Sequence, residues 1–216
     1  MTFNRGLRHH TLRGNALLPL FDGIFAVALT LLAFNVPDML NQSMGASLLM
    51  ECLLAYGVSA LVVMLYWFKL RRLIGLCRYL HLPQIALVAQ AMLTICLYPK
   101  LASLVLLYGH ESGTWFALTR GQLSNTAFLL VLFLFDAICL LFGLSLTARH
   151  CNRKGSRLIL RQLTRAQSLG FVFLAGMALL ELFTPWFNRQ YVFLIPFVLL
   201  AEEFAVAREY SNIQSS

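Results

Sequence analysis

The sequence predicts an all-α fold: a polytopic membrane protein of six transmembrane helices, with both termini in the cytoplasm. Three observations carry that prediction. The 216-residue chain is 59% hydrophobic and only 12% charged, with a mean hydropathy of +0.73. Its apolar residues gather in runs long enough to cross a hydrocarbon core of about 30 Å. Its cations fall almost wholly on one side of those runs. A soluble domain carries about twice that charged fraction, so the chain cannot supply a polar skin and the lipid bilayer must be part of its solvent. The formal net charge of +8 would suit a basic face for phosphate. These cations sit beside apolar runs instead, and no nucleic-acid partner is expected.

A helix needs about twenty apolar residues to span. Such runs lie near 17–36, 47–68, 84–108, 125–147, 168–186 and 187–207, and make one six-helix domain over residues 1–216. The first follows Arg5, Arg8 and Arg13 like a signal peptide. Its length, Asp22 and the lack of a small-residue cleavage site mark it as a genuine first helix. Pro19 suggests that this helix starts late, since proline is tolerated in a first turn. The last two runs are parted by a turn at Thr184-Pro185-Trp186. The sixth is interrupted by Pro196 and carries Glu202-Glu203 near its end.

Orientation follows from the basic residues. Arg5, Arg8 and Arg13, then Lys69, Arg71, Arg72 and Arg78 read as a loop after the second run, then Arg149, Arg153, Lys154, Arg157, Arg161 and Arg165, then Arg208, make fourteen of seventeen on one side. The positive-inside rule places them in the cytoplasm. Met44 and Arg189 then lie outside. Within the fourth loop, Arg157, Arg161 and Arg165 recur at helical spacing. That segment either lies on the anionic inner leaflet or is a helical extension carrying ordinary topogenic charge.

Ionisable groups at membrane depth turn inward and are functional candidates. Here they are Asp22, Lys100, Asp136 and Glu181. The five cysteines show no C-x-x-C spacing, and His9-His10 lack further ligands, so no metal and no cofactor is expected. In the first helix Val27, Leu31 and Phe34 lie at i, i+4 and i+7, forming one narrow apolar stripe. Thr30 flanks it. Asp22 is roughly 140° around the helix from Val27, so it points away from the stripe toward neighbouring helices.

The stretch Asp22-Gly23-Ile24-Phe25-Ala26-Val27-Ala28-Leu29-Thr30-Leu31-Leu32 resembles the first helix of the transmembrane protein 175 family of potassium channels. The family signature is Arg-x-x-x-Phe-Ser-Asp followed by an aliphatic helix. Weaker likenesses cover Tyr66-Trp67 to Arg72-Leu73-Ile74, and Leu97-Tyr98-Pro99. The departures are specific. Leu20-Phe21-Asp22 stands for Phe-Ser-Asp, Ala16 falls at the signature Arg, and Leu70-Arg71 replaces the family's paired histidines. The usual network around that Arg and those histidines is therefore not expected, which leaves Asp22 without its signature cation.

The resemblance implies a cation channel, potassium-permeable, in the plasma (inner) membrane of a prokaryote, as for the family's single-repeat members. It implies a homotetramer with the first helix of each subunit lining the pore. Val27, Leu31 and Phe34 would then be hydrophobic constrictions and Thr30 a polar ring, with Asp22 and Trp67 as signature residues that pack helices. Potassium, a permeant monovalent cation, would be cargo rather than cofactor. Two other readings stand beside this one. One is a proton-linked transporter using Asp136, Glu181 and Lys100; the other is a non-conducting descendant of the channel family. An enzyme is not expected, since no nucleophile–base set, H-E-x-x-H or phosphate-binding glycine loop appears.

Overall fold

The computed structural model describes residues 12–34, 46–75, 77, 79–108, 120–149, 154–183 and 194–214. These hold six helices and one short strand pair. Strand β1 (Leu12–Arg13) leads into α1 (Gly14–Phe34); α2 (Ala46–Gly75) is followed by β2 (Tyr79–Leu80) and α3 (Leu82–Tyr108); then come α4 (Arg120–Arg149), α5 (Lys154–Phe183) and α6 (Ile195–Gln214). Three segments are long and apolar enough to cross a membrane: Ala16–Phe34, Leu82–Val105 and Arg120–Leu146.

Neighbouring helices form a closed circuit, α1–α3–α4–α5–α6–α2 and back to α1. Large rings fill its interior. Tyr66 of α2 packs at a tilt against Phe135 of α4 with centroids 4.4 Å apart, and Tyr98 of α3 meets Phe128 of α4 at 5.5 Å. In α1, Phe21, Phe25, Ala28 and Leu32 recur at helical spacing and are buried, so the i, i+4, i+7, i+11 face is the one that packs. Leucines at the opposite positions of the bundle, such as Leu93, Leu130 and Leu169, are exposed, as a lipid solvent requires.

Several boundaries differ from those read in the sequence, each for a local reason. Helix α1 begins at Gly14, so Pro19 is interior rather than in a first turn. The start is held from outside: β1 pairs antiparallel with β2, Leu12 opposite Leu80 and Arg13 opposite Tyr79. Gly14 itself closes on backbone, because a Cβ there would strike the Cys77 carbonyl and come within 3.1 Å of the Ile74 carbonyl. That pairing places the chain before α1 beside the chain after α2.

Helix α2 continues through Gly75, so Lys69, Arg71 and Arg72 are helical rather than loop residues. Helix α3 opens on a capping arrangement in which the His81 N–H donates to Gln84 Oε1 at 3.0 Å, with Pro83 in the first turn. Helix α5 is unbroken from Lys154 to Phe183. The basic segment of Arg157, Arg161 and Arg165 is thus an extension of the fifth helix. Helix α6 starts at Ile195, which puts Pro196 in its first turn, where its missing N–H breaks no bond. The turn at Thr184-Pro185-Trp186 lies outside the described residues.

Gly14→Ala is expected to separate α1 from the Cys77 backbone. The small-to-large change should cost about 1–3 kcal/mol, read as a lower melting temperature of the purified protein. An unchanged melting temperature would mean that the contact relaxes freely.

Candidate functional site

On α1 the sequence-predicted stripe is bare. Val27, Leu31 and Phe34 are 55%, 45% and 71% exposed in the single chain, and Thr30 is exposed between them. The Thr30 hydroxyl donates to the Ala26 carbonyl at 2.8 Å. Its proton is committed to the helix, and its oxygen lone pairs stay available outward. This face is therefore free for another chain, lipid or an aqueous pore.

Asp22 lies on a different face and is not alone. Arg71 Nη1 donates to both of its carboxylate oxygens, at 2.6 and 2.7 Å, and Trp67 Nε1 donates to Oδ1 at 2.8 Å. The guanidinium stands 4.8 Å from the Trp67 ring centre, within cation–π range. Helical spacing explains the trio, because Trp67 and Arg71 are one turn apart on α2. The expectation that Asp22 lacks its cation is thus overturned. Ala16 removed the signature Arg from α1, and Arg71 supplies the charge from the neighbouring helix.

Lys69 precedes Arg71 by two residues, roughly 200° around the helix, and so faces the other way. Its ammonium meets Asp136 Oδ1 of α4 at 2.6 Å and Glu202 Oε1 of α6 at 2.9 Å. All three side chains are at least nine-tenths buried. Arg72 completes the set by pairing with Glu203. Tyr66, one turn before Lys69, lies beneath the ammonium with its ring centre 5.9 Å away. From α5, Gly170 closes the centre, since a Cβ there would come within 2.5 Å of Glu202 Oε2 and 3.5 Å of Asp136 Oδ2.

Sequence reasoning named Asp22, Trp67, Thr30 and the stripe but missed Lys69, Arg71, Glu202 and Glu203. The signal was present. Lys69 and Arg72, three residues apart, share a face, and a matching acidic pair, Glu202-Glu203, lies near the end of the sixth run. Asp136 thus takes Lys69 as its partner. Lys100 is exposed, while Glu181 is buried. No group of three or more His, Cys, Asp or Glu able to hold a metal occurs among the described residues. The thiol of Cys77, outside the spanning segments, is pushed up to about 12 by burial, so it is not a reactive nucleophile.

This geometry falls largely inside a segment with known relatives. Residues 17–99 match the family model described as endosomal/lysosomal potassium channel TMEM175. The TMEM175-like segment contains α1 from Leu17, all of α2, and α3 as far as Pro99. It therefore includes the bare stripe, Asp22, Trp67 and Arg71. No curated protein and no solved structure matches the chain.

The Asp22–Arg71 pair is testable by a double-mutant cycle. Its side chains are 38% and 42% exposed, so solvent limits the coupling to about 1 kcal/mol or less. Asp22→Asn is expected to destabilise the protein less in an Arg71→Met background than in the parent. Equal losses in both backgrounds would show that the two side chains act independently.

Proposed function

We propose that this protein is a cation channel, potassium-permeable, built as a homotetramer in the plasma (inner) membrane of a prokaryotic cell. Each subunit crosses the bilayer six times with both termini in the cytoplasm. Helix α1 of each subunit stands at the four-fold axis. Val27, Leu31 and Phe34 form successive apolar constrictions, and Thr30 contributes a ring of hydroxyl oxygens between them. Narrow apolar rings oppose ion entry by dewetting, while oxygen ligands replace part of an ion's hydration shell. Gating then consists of widening or wetting those rings.

The observation that carries this reading is the exposed stripe on α1, lying within the TMEM175-like segment. A helix whose Phe21, Phe25, Ala28 and Leu32 already fill the subunit's core has its other face left for assembly around an axis. The buried Asp136 and Lys69, bonded to each other, serve the bundle rather than a transport path in this reading. Topology is supported by the β1–β2 pairing, which keeps Arg13 beside the chain just after α2, the helix whose last turns carry Arg71 and Arg72, as the positive-inside rule requires of one face.

Planar-bilayer currents measured beside size-exclusion profiles test the pore. Leu31→Ser and Phe34→Ala are expected to raise single-channel conductance of an intact oligomer, while the exposed α3 change Leu93→Ala leaves it unaltered. Stripe variants that remain assembled and silent would show that α1 lines no conducting path, and favour the non-conducting descendant.

Orientation is checked separately. In a cysteine-free background, Met44→Cys and Arg157→Cys are expected to react with an impermeant thiol reagent from opposite sides of the membrane. Reaction from the same side would rule out six spans. Both positions are chosen for topology alone, since Met44 and the Arg157 side chain lie outside the described residues.

A further inference from the structure

The centre at Lys69 carries an imbalance. One ammonium faces two carboxylates, so with all three ionised the cluster holds one excess negative charge, nine-tenths buried. Each carboxylate gives one oxygen to Lys69. The others, Asp136 Oδ2 and Glu202 Oε2, meet no hydrogen-bond partner among the described residues. Both approach the same point, the Cα–H face of Gly170, within 3.5 Å of where a Cβ would stand. The Tyr66 hydroxyl is also unpartnered, as are both polar atoms of Gln167, one turn before Gly170 on α5. Buried polar atoms without partners are uncommon, and each calls for a cause.

We infer that Asp136 and Glu202 form a proton-binding site, holding one exchangeable proton between their unpartnered oxygens while Lys69 neutralises the remaining carboxylate. Binding forms one O–H bond with a proton taken from water and breaks none in the protein. The acid so made donates to the facing carboxylate oxygen, giving both orphaned atoms a partner. With the proton in place the cluster sums to zero charge, the state that burial favours. Like-charged carboxylates at close quarters sharing one proton is a general outcome of such packing.

On the side of Lys69 and Glu202, space argues against the entry of a metal cation. The crevice beside the centre, lined by Leu65, Tyr66, Lys69, Leu199, Glu202 and Glu203, is too narrow to admit a water molecule. The surroundings add little charge. Facing the site are Lys69 and Tyr66 from α2, Asp136 and Cys139 from α4, Tyr98 from α3, and Glu202 from α6 with Glu203 beside it. Arg72 neutralises Glu203, so it does not compete for the excess charge. From α5 the site meets Gly170, and the buried Gln167 one turn earlier on that helix is likewise uncharged.

The sign of the pH effect follows. Acid fills the site and stabilises the bundle; alkali empties it and leaves two carboxylates repelling each other across Gly170. This inference does not depend on conduction, and its test is independent of currents. Infrared spectra of the full-length protein in lipid nanodiscs, recorded from acidic to alkaline buffer, read the proton directly. A carboxylic-acid carbonyl band is expected that shifts in deuterated buffer and is lost as pH rises. It should also be lost in Glu202→Gln or in Asp136→Asn. Carboxyl-labelled aspartate or glutamate in the unmutated protein assigns the band should either variant fail to assemble. Melting temperature should fall as pH rises, and Glu202→Gln, whose amide donates in place of the proton, should flatten that slope. Absence of an acid band at every pH would overturn the inference, as would a band that persists in both folded variants. Carboxylate bands that respond to potassium concentration at fixed pH, with no acid band, would place an alkali cation there instead.

Discussion

A buried ammonium shared by two carboxylates is the contact on which the arrangement of this bundle depends. Apolar side chains give lipid-embedded helices little reason to prefer one neighbour over another, because lipid tails are equally apolar. Polar contacts must therefore choose the partners. Lys69 joins α2 to α4 and α6 at once, and Gly170 lets α5 close over the same point. Removing Lys69 leaves two carboxylates buried without compensation, a far larger loss than any surface pair entails. Four of the six helices are thus held in register by one cluster.

Helix α2 works as the hub because it directs cations both ways. Lys69 and Arg71 are separated by two residues and point to opposite sides, one into the α4–α6 centre and the other to Asp22 on α1. What an aspartate at this depth requires is a neighbouring cation with donors in the right place, and the chain position of that cation is free. Arg71 satisfies that requirement from α2, while α1 carries Ala16 six residues before Asp22. A carboxylate that looks unpaired along the sequence has its cation in space. This also explains why Arg71 is exposed by 42% yet fixed by three contacts.

The sequence revealed α1, α3 and α4 well, since their apolar runs are long and have few interruptions. It set Val27, Leu31 and Phe34 on one face of α1, whereas the packed face of Phe21, Phe25 and Ala28 emerged only in the structure. It misjudged the end of α2 because hydropathy stops a span at its first cations, whereas Lys69, Arg71 and Arg72 are carried on the helix and neutralised by acids elsewhere. The start of α6 was misplaced because Pro196 reads as an interruption until its place in a first turn is known. The ion cluster itself was not legible: its members come from three helices, and no local period links them. Two-residue strands such as Leu12–Arg13 leave no pattern to find.

The pairing of β1 with β2 has a mechanical meaning. It pins the first turn of α1 to the end of α2, where Gly14 touches the Cys77 backbone, while Asp22 forms a second rivet higher up. Between them sits Pro19, which leaves the Asn15 carbonyl without its helical donor and softens the rod at that point. Beyond the second rivet, the half of α1 bearing Val27, Leu31 and Phe34 is held by packing alone, through Phe25, Ala28 and Leu32. Motion there cannot come from sliding the whole helix along its axis. A shift of that half has only apolar contacts to part and no ion pair to break, since residues 23–34 carry no charged side chain.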